Sequence, residues 1–87
     1  MKQYEVVLSK TVVKSMSKLP TSIVNKIILV LESLATNPRP VGCKKLKGFD
    51  NLWRVRIGDY RAIYAIEDVI LLVDVRDVGH RKDIYKP

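Results

Sequence analysis

From Gln3 to Ser9 the chain alternates, with Tyr4, Val6 and Leu8 on one side, and this period of two predicts a first strand. Ser9 or Lys10 then begins a different rhythm. Val12, Met16 and Leu19 recur at i, i+4 and i+7, the spacing of one helix face. Leu19-Pro20 closes this helix, because proline disfavours a helical residue before it, yet Pro20 suits the first turn of a following helix. Thr21 and Ser22 are the candidate caps there.

The second helix is the clearest element. Ile23, Ile27, Val30 and Leu34 form one stripe, and Val24, Ile28, Leu31 and Ala35 widen it. So broad an apolar face must be covered, most simply by a sheet. Asn37-Pro38-Arg39-Pro40 ends the helix, since two prolines cannot continue it. Val41 to Asn51 reads as a loop that holds the run Lys44-Lys45-Leu46-Lys47-Gly48. Three strands follow closely. Trp53, Val55 and Ile57 alternate with Arg54 and Arg56, which implies one face in the core and one exposed and basic. Gly58-Asp59 turns the chain into Tyr60 to Ile66. Glu67-Asp68 turns it again into Val69 to Val75, a continuous apolar run of the kind central strands carry. Hairpin-length connections make these three an antiparallel meander. The expected architecture is α+β, ordered βααβββ, with two N-terminal helices packed on a four-stranded, mainly antiparallel sheet.

Length and composition narrow the class. A chain of 87 residues with 47% hydrophobic side chains is expected to form one domain over residues 1–87. A domain this small buries only roughly 60–65% of its unfolded surface. The single Cys43 excludes an internal disulfide and fits a reducing compartment. The alternating, charged N-terminus has no apolar signal-peptide core, and the apolar-rich stretch from Ile23 to Ala35 is too short and too polar to span a bilayer. The expected location is the cytoplasm, without a membrane partner.

Charge placement says more than charge. The net charge is +7. Residues 1–38 carry five Lys and two Glu, net +3, whereas residues 39–61 carry seven basic groups against two Asp, net +5. Residues 62–87 carry four basic and five acidic groups, net −1. A concentrated excess of this kind is an electrostatic footprint for nucleic acid or an acidic partner.

The chemistry-bearing residues gather in LWRVRIGDYR and VGHRKDIY. Arg54 and Arg56, two apart on a strand, point to one face; Arg61 follows the turn, and the tail adds His80, Arg81 and Tyr85. Guanidinium groups present several donors in a fixed fork that fits phosphate oxygens. His80 is suited to proton transfer near neutrality, and Tyr85 to base stacking or weak acid–base work. Plainer readings stand beside these. Arg81 can pair with Asp77 or Asp83, Arg61 can tie its strand to Asp59, His80 can be a turn residue and Tyr85 an anchor. One His and one Cys cannot form a usual zinc set. Neither a metal nor a cofactor is expected.

The order βααβββ, the KKLKG run, WRVRIGDYRAIY and VGHRKDIY together resemble the RelE/ParE superfamily of type II toxin–antitoxin toxins. The resemblance covers nearly the whole chain and implies the RelE-like microbial RNase fold. It implies one of two activities: cleavage of messenger RNA in the ribosomal A site, as in the RelE-like branch, or non-nucleolytic inhibition of DNA gyrase, as in the ParE-like branch. It maps the RelE-like active groups onto Arg54, Arg56, Arg61, Arg81 and Tyr85, and the C-terminal tyrosine points to the nuclease branch. Catalysis is thus expected from Arg61, His80, Arg81 and Tyr85, with phosphate and RNA contacts from Lys44, Lys45, Lys47, Arg54 and Arg56. The strand pair is often lysine in the family. Here it is arginine, which holds phosphate but is a poor proton donor, so an acid role carried by lysine in relatives moves to His80. The implied partners are an acidic antitoxin, the ribosome and its mRNA, and promoter DNA only through the antitoxin.

Metal-free RNA cleavage uses the substrate's own 2′-OH as nucleophile and leaves a 2′,3′-cyclic phosphate. Such a site must deprotonate that hydroxyl, protonate the 5′ leaving oxygen and stabilise extra charge on phosphorus. Arg61 and Arg81 suit the last task, because they cannot lose their protons.

Overall fold

The chain alternates where it is extended and turns with a helical period where it is not, and a computed structural model, which describes residues 3–83, realises both patterns. Strand β1 (Glu5–Leu8) is followed by helices α1 (Lys10–Ser17) and α2 (Thr21–Ser33), then by strands β2 (Lys44–Lys45), β3 (Leu52–Ile57), β4 (Tyr60–Glu67) and β5 (Leu72–His80). Ser9 caps α1, its Oγ accepting from the Val12 N–H at 3.1 Å. Pro20 itself is the residue before α2, with φ −58° and ψ 146°, so Thr21 and Ser22 lie inside the first turn rather than capping it.

The strands form one sheet in the order β1-β5-β4-β3-β2. β1 runs parallel to β5, and the other neighbours are antiparallel. The α+β class and the helical pair hold, while the sheet has five strands rather than four. The extra strand, β2, is two residues long, and its pairing with Arg54 and Trp53 is a tertiary event that no local pattern announces.

One face of the sheet is covered. Val12 and Met16 from α1, with Ile27, Leu31 and Leu34 from α2 and its C-terminal turn, pack against Val55, Ile57, Ala62, Tyr64, Ile66, Val73, Val75 and Val78. Replacing one of these fully buried aliphatic side chains by alanine costs about 2–5 kcal/mol. Among the described residues the opposite face has only a small apolar cluster, Leu46 with Ile63 and Leu52. The period of two therefore sends Arg54, Arg56 and Arg61 to the uncovered face.

The last strand begins later and ends later than the apolar run suggests. Val69 and Ile70 stand exposed in the β4–β5 turn, and Leu71 takes a left-handed φ of 53°. Asp68 holds this turn, accepting from Arg39 in a 2.8 Å ion pair and from the Tyr4 hydroxyl at 2.6 Å. Arg39 also lies over the Trp53 ring, 5.0 Å from its centre. Arg39 is thus engaged with Asp68 and with Trp53, whose side chain belongs to the face opposite Arg54 and Arg56.

Candidate functional site on the uncovered sheet face

Two strands and one turn assemble the site. Ile57 pairs with Tyr60, leaving Gly58 and Asp59 as a two-residue connection. Gly58 has φ +60° while Asp59 stays negative, the type II′ pattern that matches strand twist and favours glycine at its first position. The tight turn fixes the register, and the register puts Arg56 directly opposite Arg61. Arg54, two residues back, shares their face and pairs with Ile63. On the outer side Lys44 pairs with Arg54, so a lysine joins the arginine row.

The turn after β5 brings the fourth arginine. The Arg81 N–H donates to the Asp59 carbonyl at 2.8 Å, and its Nε lies 3.9 Å from Asp59 Oδ1. The Asp83 N–H donates to the His80 carbonyl at 2.8 Å, closing the turn over residues 80–83. Asp59 is therefore Arg81's ion-pair partner, in place of the Asp77 or Asp83 considered from sequence. Arg54, Arg56 and Arg61 form no ion pair among the described residues. The half-buried Arg61 guanidinium has its pKa lowered, first by partial burial and then by the charges of Arg54, Arg56 and Arg81. It stays charged at neutral pH. A crowd of unneutralised cations is costly unless an anion sits among them, and their forked donors suit a phosphate.

His80 does not stand among these arginines. This corrects the expected grouping, and the cause is a β-bulge. Ile63 pairs with Asp77 but Tyr64 pairs with Val75, leaving Arg76 as an extra residue. A regular strand carrying Val73 and Val75 inward would send His80 outward to the arginines. The extra residue reverses the phase, so Val78 and His80 turn to the helix side and Gly79 takes the place opposite Arg61. The His80 ring meets Tyr60 edge-on at 5.3 Å and 81°. Its Nδ1 accepts from the Lys82 N–H at 3.2 Å. Together with Ser15 of α1 and Lys18 and Leu19 just beyond its end, it lines a cleft of about 560 Å³. The sequence did carry a hint: two polar residues, Arg76 and Asp77, separate Val75 from Val78 where strict alternation allows one.

The remaining expected residues divide. Lys45 pairs with Trp53 and so belongs to the helix-side face, unlike Lys44. Lys47 is exposed in the β2–β3 loop. Tyr85 lies outside the described residues. Tyr64, fully buried, donates its hydroxyl to the Pro38 carbonyl at 2.8 Å. Burial and the neighbouring Cys43 raise its pKa. No cluster of three or more His, Cys, Asp or Glu side chains that could hold a metal occurs among the described residues. No described helix is long and apolar enough to cross a membrane.

Comparison with known proteins bears on the family and the fold. A model of the family described as the ParE toxin of the type II toxin–antitoxin system parDE matches residues 6–85. The chain is 37% identical over 86 residues to the toxin RelE3 of Methanocaldococcus jannaschii, covering 93% of this chain and 94% of the relative. Among solved structures it is similar to the archaeal RelE–RelB complex from Pyrococcus horikoshii OT3, with a TM-score of 0.82 at 28% identity over 94% of this chain and 99% of that one. It is likewise similar to the toxin–antitoxin complex RelBE2 from Mycobacterium tuberculosis, with a TM-score of 0.79 at 27% identity over 91% and 99% of the two chains.

Proposed function

The chain belongs to the ParE toxin family of type II toxin–antitoxin systems, and from that premise we propose that it is a ribosome-dependent, metal-independent endoribonuclease that cleaves messenger RNA and so stops translation. The observation that carries this reading is the row Arg54, Arg56 and Arg61, three cations on one open face with no ion pair among the described residues. Phosphate oxygens supply the missing anion.

In this reading Lys44, Arg54 and Arg56 hold the RNA backbone, with Lys45 and Lys47 contributing longer-range attraction from the edge of the sheet and its loop. Arg61 and Arg81 meet the scissile phosphate and stabilise the charge that grows on it as the substrate's 2′-OH attacks. Gly79, opposite Arg61 on β5, leaves that guanidinium without a cross-strand side chain on the β5 side. Tyr85 serves the leaving or attacking oxygen, as the family resemblance implies. His80, proposed from sequence as a proton carrier, here becomes a positioning residue. Its ring against Tyr60 and its bond to the Lys82 N–H hold the turn that carries Arg81. The partners are an acidic antitoxin of the RelB kind that covers the basic face, and promoter DNA reached through that antitoxin, in the cytoplasm.

A second reading is gyrase inhibition without nuclease chemistry, favoured by the match to the ParE family model. One experiment separates the two. The purified chain is added to a translation extract programmed with a defined mRNA, and the RNA ends are mapped. Cuts that require ribosomes and vanish with Arg81→Ala support the nuclease. Intact mRNA with unimpaired translation, together with inhibition in a gyrase supercoiling assay, supports the alternative.

A further inference from the structure

Phe49 is the sole phenylalanine of the chain, and it is 42% exposed. It occupies the tip of the β2–β3 loop, between Gly48, whose φ of +82° makes the reversal, and Asp50. The base of this loop is pinned. The Leu46 N–H donates to the Leu52 carbonyl at 2.9 Å, Leu46 itself is buried against Ile63 on the arginine-bearing face, and Asn51 Nδ2 donates to the Ile66 carbonyl and to Glu67. The tip is held in place while its aromatic ring stays partly open to solvent. Phe49 is not among the residues of either apolar cluster, and a large part of its ring faces solvent. Its neighbours Lys44, Lys45 and Lys47 are exposed cations. The arginine row continues from Arg56 through Arg54 toward Leu52, roughly 13 Å along the strand at about 3.3 Å per residue.

We propose that Phe49 is a base-stacking residue, receiving an unpaired RNA base at the far end of the cationic face. This rests on the RNA-binding reading given above and names a contact that reading does not contain. A single strand whose phosphates follow Arg56, Arg54 and Lys44 arrives at the loop with its bases splayed. An exposed aromatic ring flanked by lysines is the platform such a base uses. Stacking tolerates any base, because each has a π-face, so Phe49 adds affinity and register rather than base identity.

The test measures binding of the full chain at low salt to a fluorescent ten-nucleotide oligoadenylate RNA and to its counterpart abasic at successive positions. Phe49→Ala is expected to weaken binding to the intact RNA on the order of tenfold, Phe49→Tyr to restore it, and Phe49→Leu to restore little. On the RNA abasic at the stacked position the alanine penalty is expected to disappear, with the melting temperature of every variant unchanged. Equal affinity of wild type and Phe49→Ala, alongside a loss for Arg54→Gln, would overturn the stacking role and leave the RNA-binding reading intact. Full affinity of Phe49→Leu would also overturn it, as would a penalty that persists on every abasic RNA. Absence of RNA binding by the wild type would overturn both.

Discussion

Arg56 and Arg61 face one another directly across the β3–β4 hairpin, two cations in a position where opposite charges or apolar pairs stabilise and like charges do not. No carboxylate among the described residues pairs with either. Arg56 Nε donates to the Gly58 carbonyl at 3.4 Å, but that bond leaves the charge of the pair unneutralised. Arg61→Gln is therefore expected to leave stability equal or raise it, by about 0.2–1 kcal/mol, while lowering RNA cleavage about 10²–10³-fold. Sulfate is expected to raise the melting temperature of the wild type more than that of the variant, because an anion relieves the same repulsion. Thermal unfolding with and without sulfate, beside a cleavage assay, checks all three. A variant that is both inactive and strongly destabilised would assign Arg61 to the scaffold.

His80 separates two roles by the size of its effect. General acid–base catalysis contributes about 10²–10⁴ in rate. A residue that only steadies the turn carrying Arg81 contributes less. His80→Gln is expected to lose about tenfold or less and to leave the shape of the pH–rate profile unchanged. Loss of one limb of that profile would return His80 to proton transfer.

Phosphate contacts are read by salt. Each one removed lowers the slope of log affinity against log salt by about 0.7 for a single strand. Arg54→Gln and Lys44→Gln, paired on one face, are each expected to lower it by about that much. Lys45→Gln, registered with Trp53 on the other side, is expected to change it less. Fluorescence anisotropy over a salt series gives the slopes directly.

Tyr64 ties stability to high pH. Burial and Cys43 hold its hydroxyl neutral above the ordinary value of 10.0. Below about pH 10 both folded and unfolded chains keep the proton, and its contribution is whole. As pH rises beyond that, the unfolded chain ionises first, so stability falls until the folded hydroxyl ionises too. Tyr4, raised mainly by its bond to Asp68, adds in the same direction. Tyr64→Phe loses a buried hydrogen bond, at about 1–2 kcal/mol, and is expected to flatten the alkaline fall. Denaturant titrations from pH 8 to 11 measure both.

Local pattern carried the fold where the period is local. Val12 and Met16, and Ile27 with Leu31, mark their helices because burial repeats at the helical spacing. Arg54 and Arg56 could be placed on one face because they stand two apart on a strand, whereas the register that sets Arg61 opposite Arg56 comes from the structure. What stayed hidden depends on distant pairing. Lys44 and Lys45 form a strand only because Arg54 and Trp53 lie beside them. Val69 and Ile70 look like strand residues, yet the fit of Glu67 to Leu72 leaves them in the turn. The bulge at Arg76 is the most consequential of these, since one inserted residue moved His80 from the arginine face to the helix face. Asp59 as the tether of Arg81 likewise joins two turns that the sequence separates by 22 residues.

If the arginine face cuts RNA by 2′-OH attack, cleavage needs the 2′-OH of the nucleotide before the cut. The direct measurement uses ribosomes programmed with an mRNA that carries a single 2′-deoxy substitution at the mapped cut, compared with the unmodified message. Cleavage of the unmodified mRNA to a 2′,3′-cyclic phosphate, lost with the 2′-deoxy message and with Arg61→Ala, is the expected result. Cleavage that survives the 2′-deoxy substitution, or an unmodified message that stays intact, would contradict it.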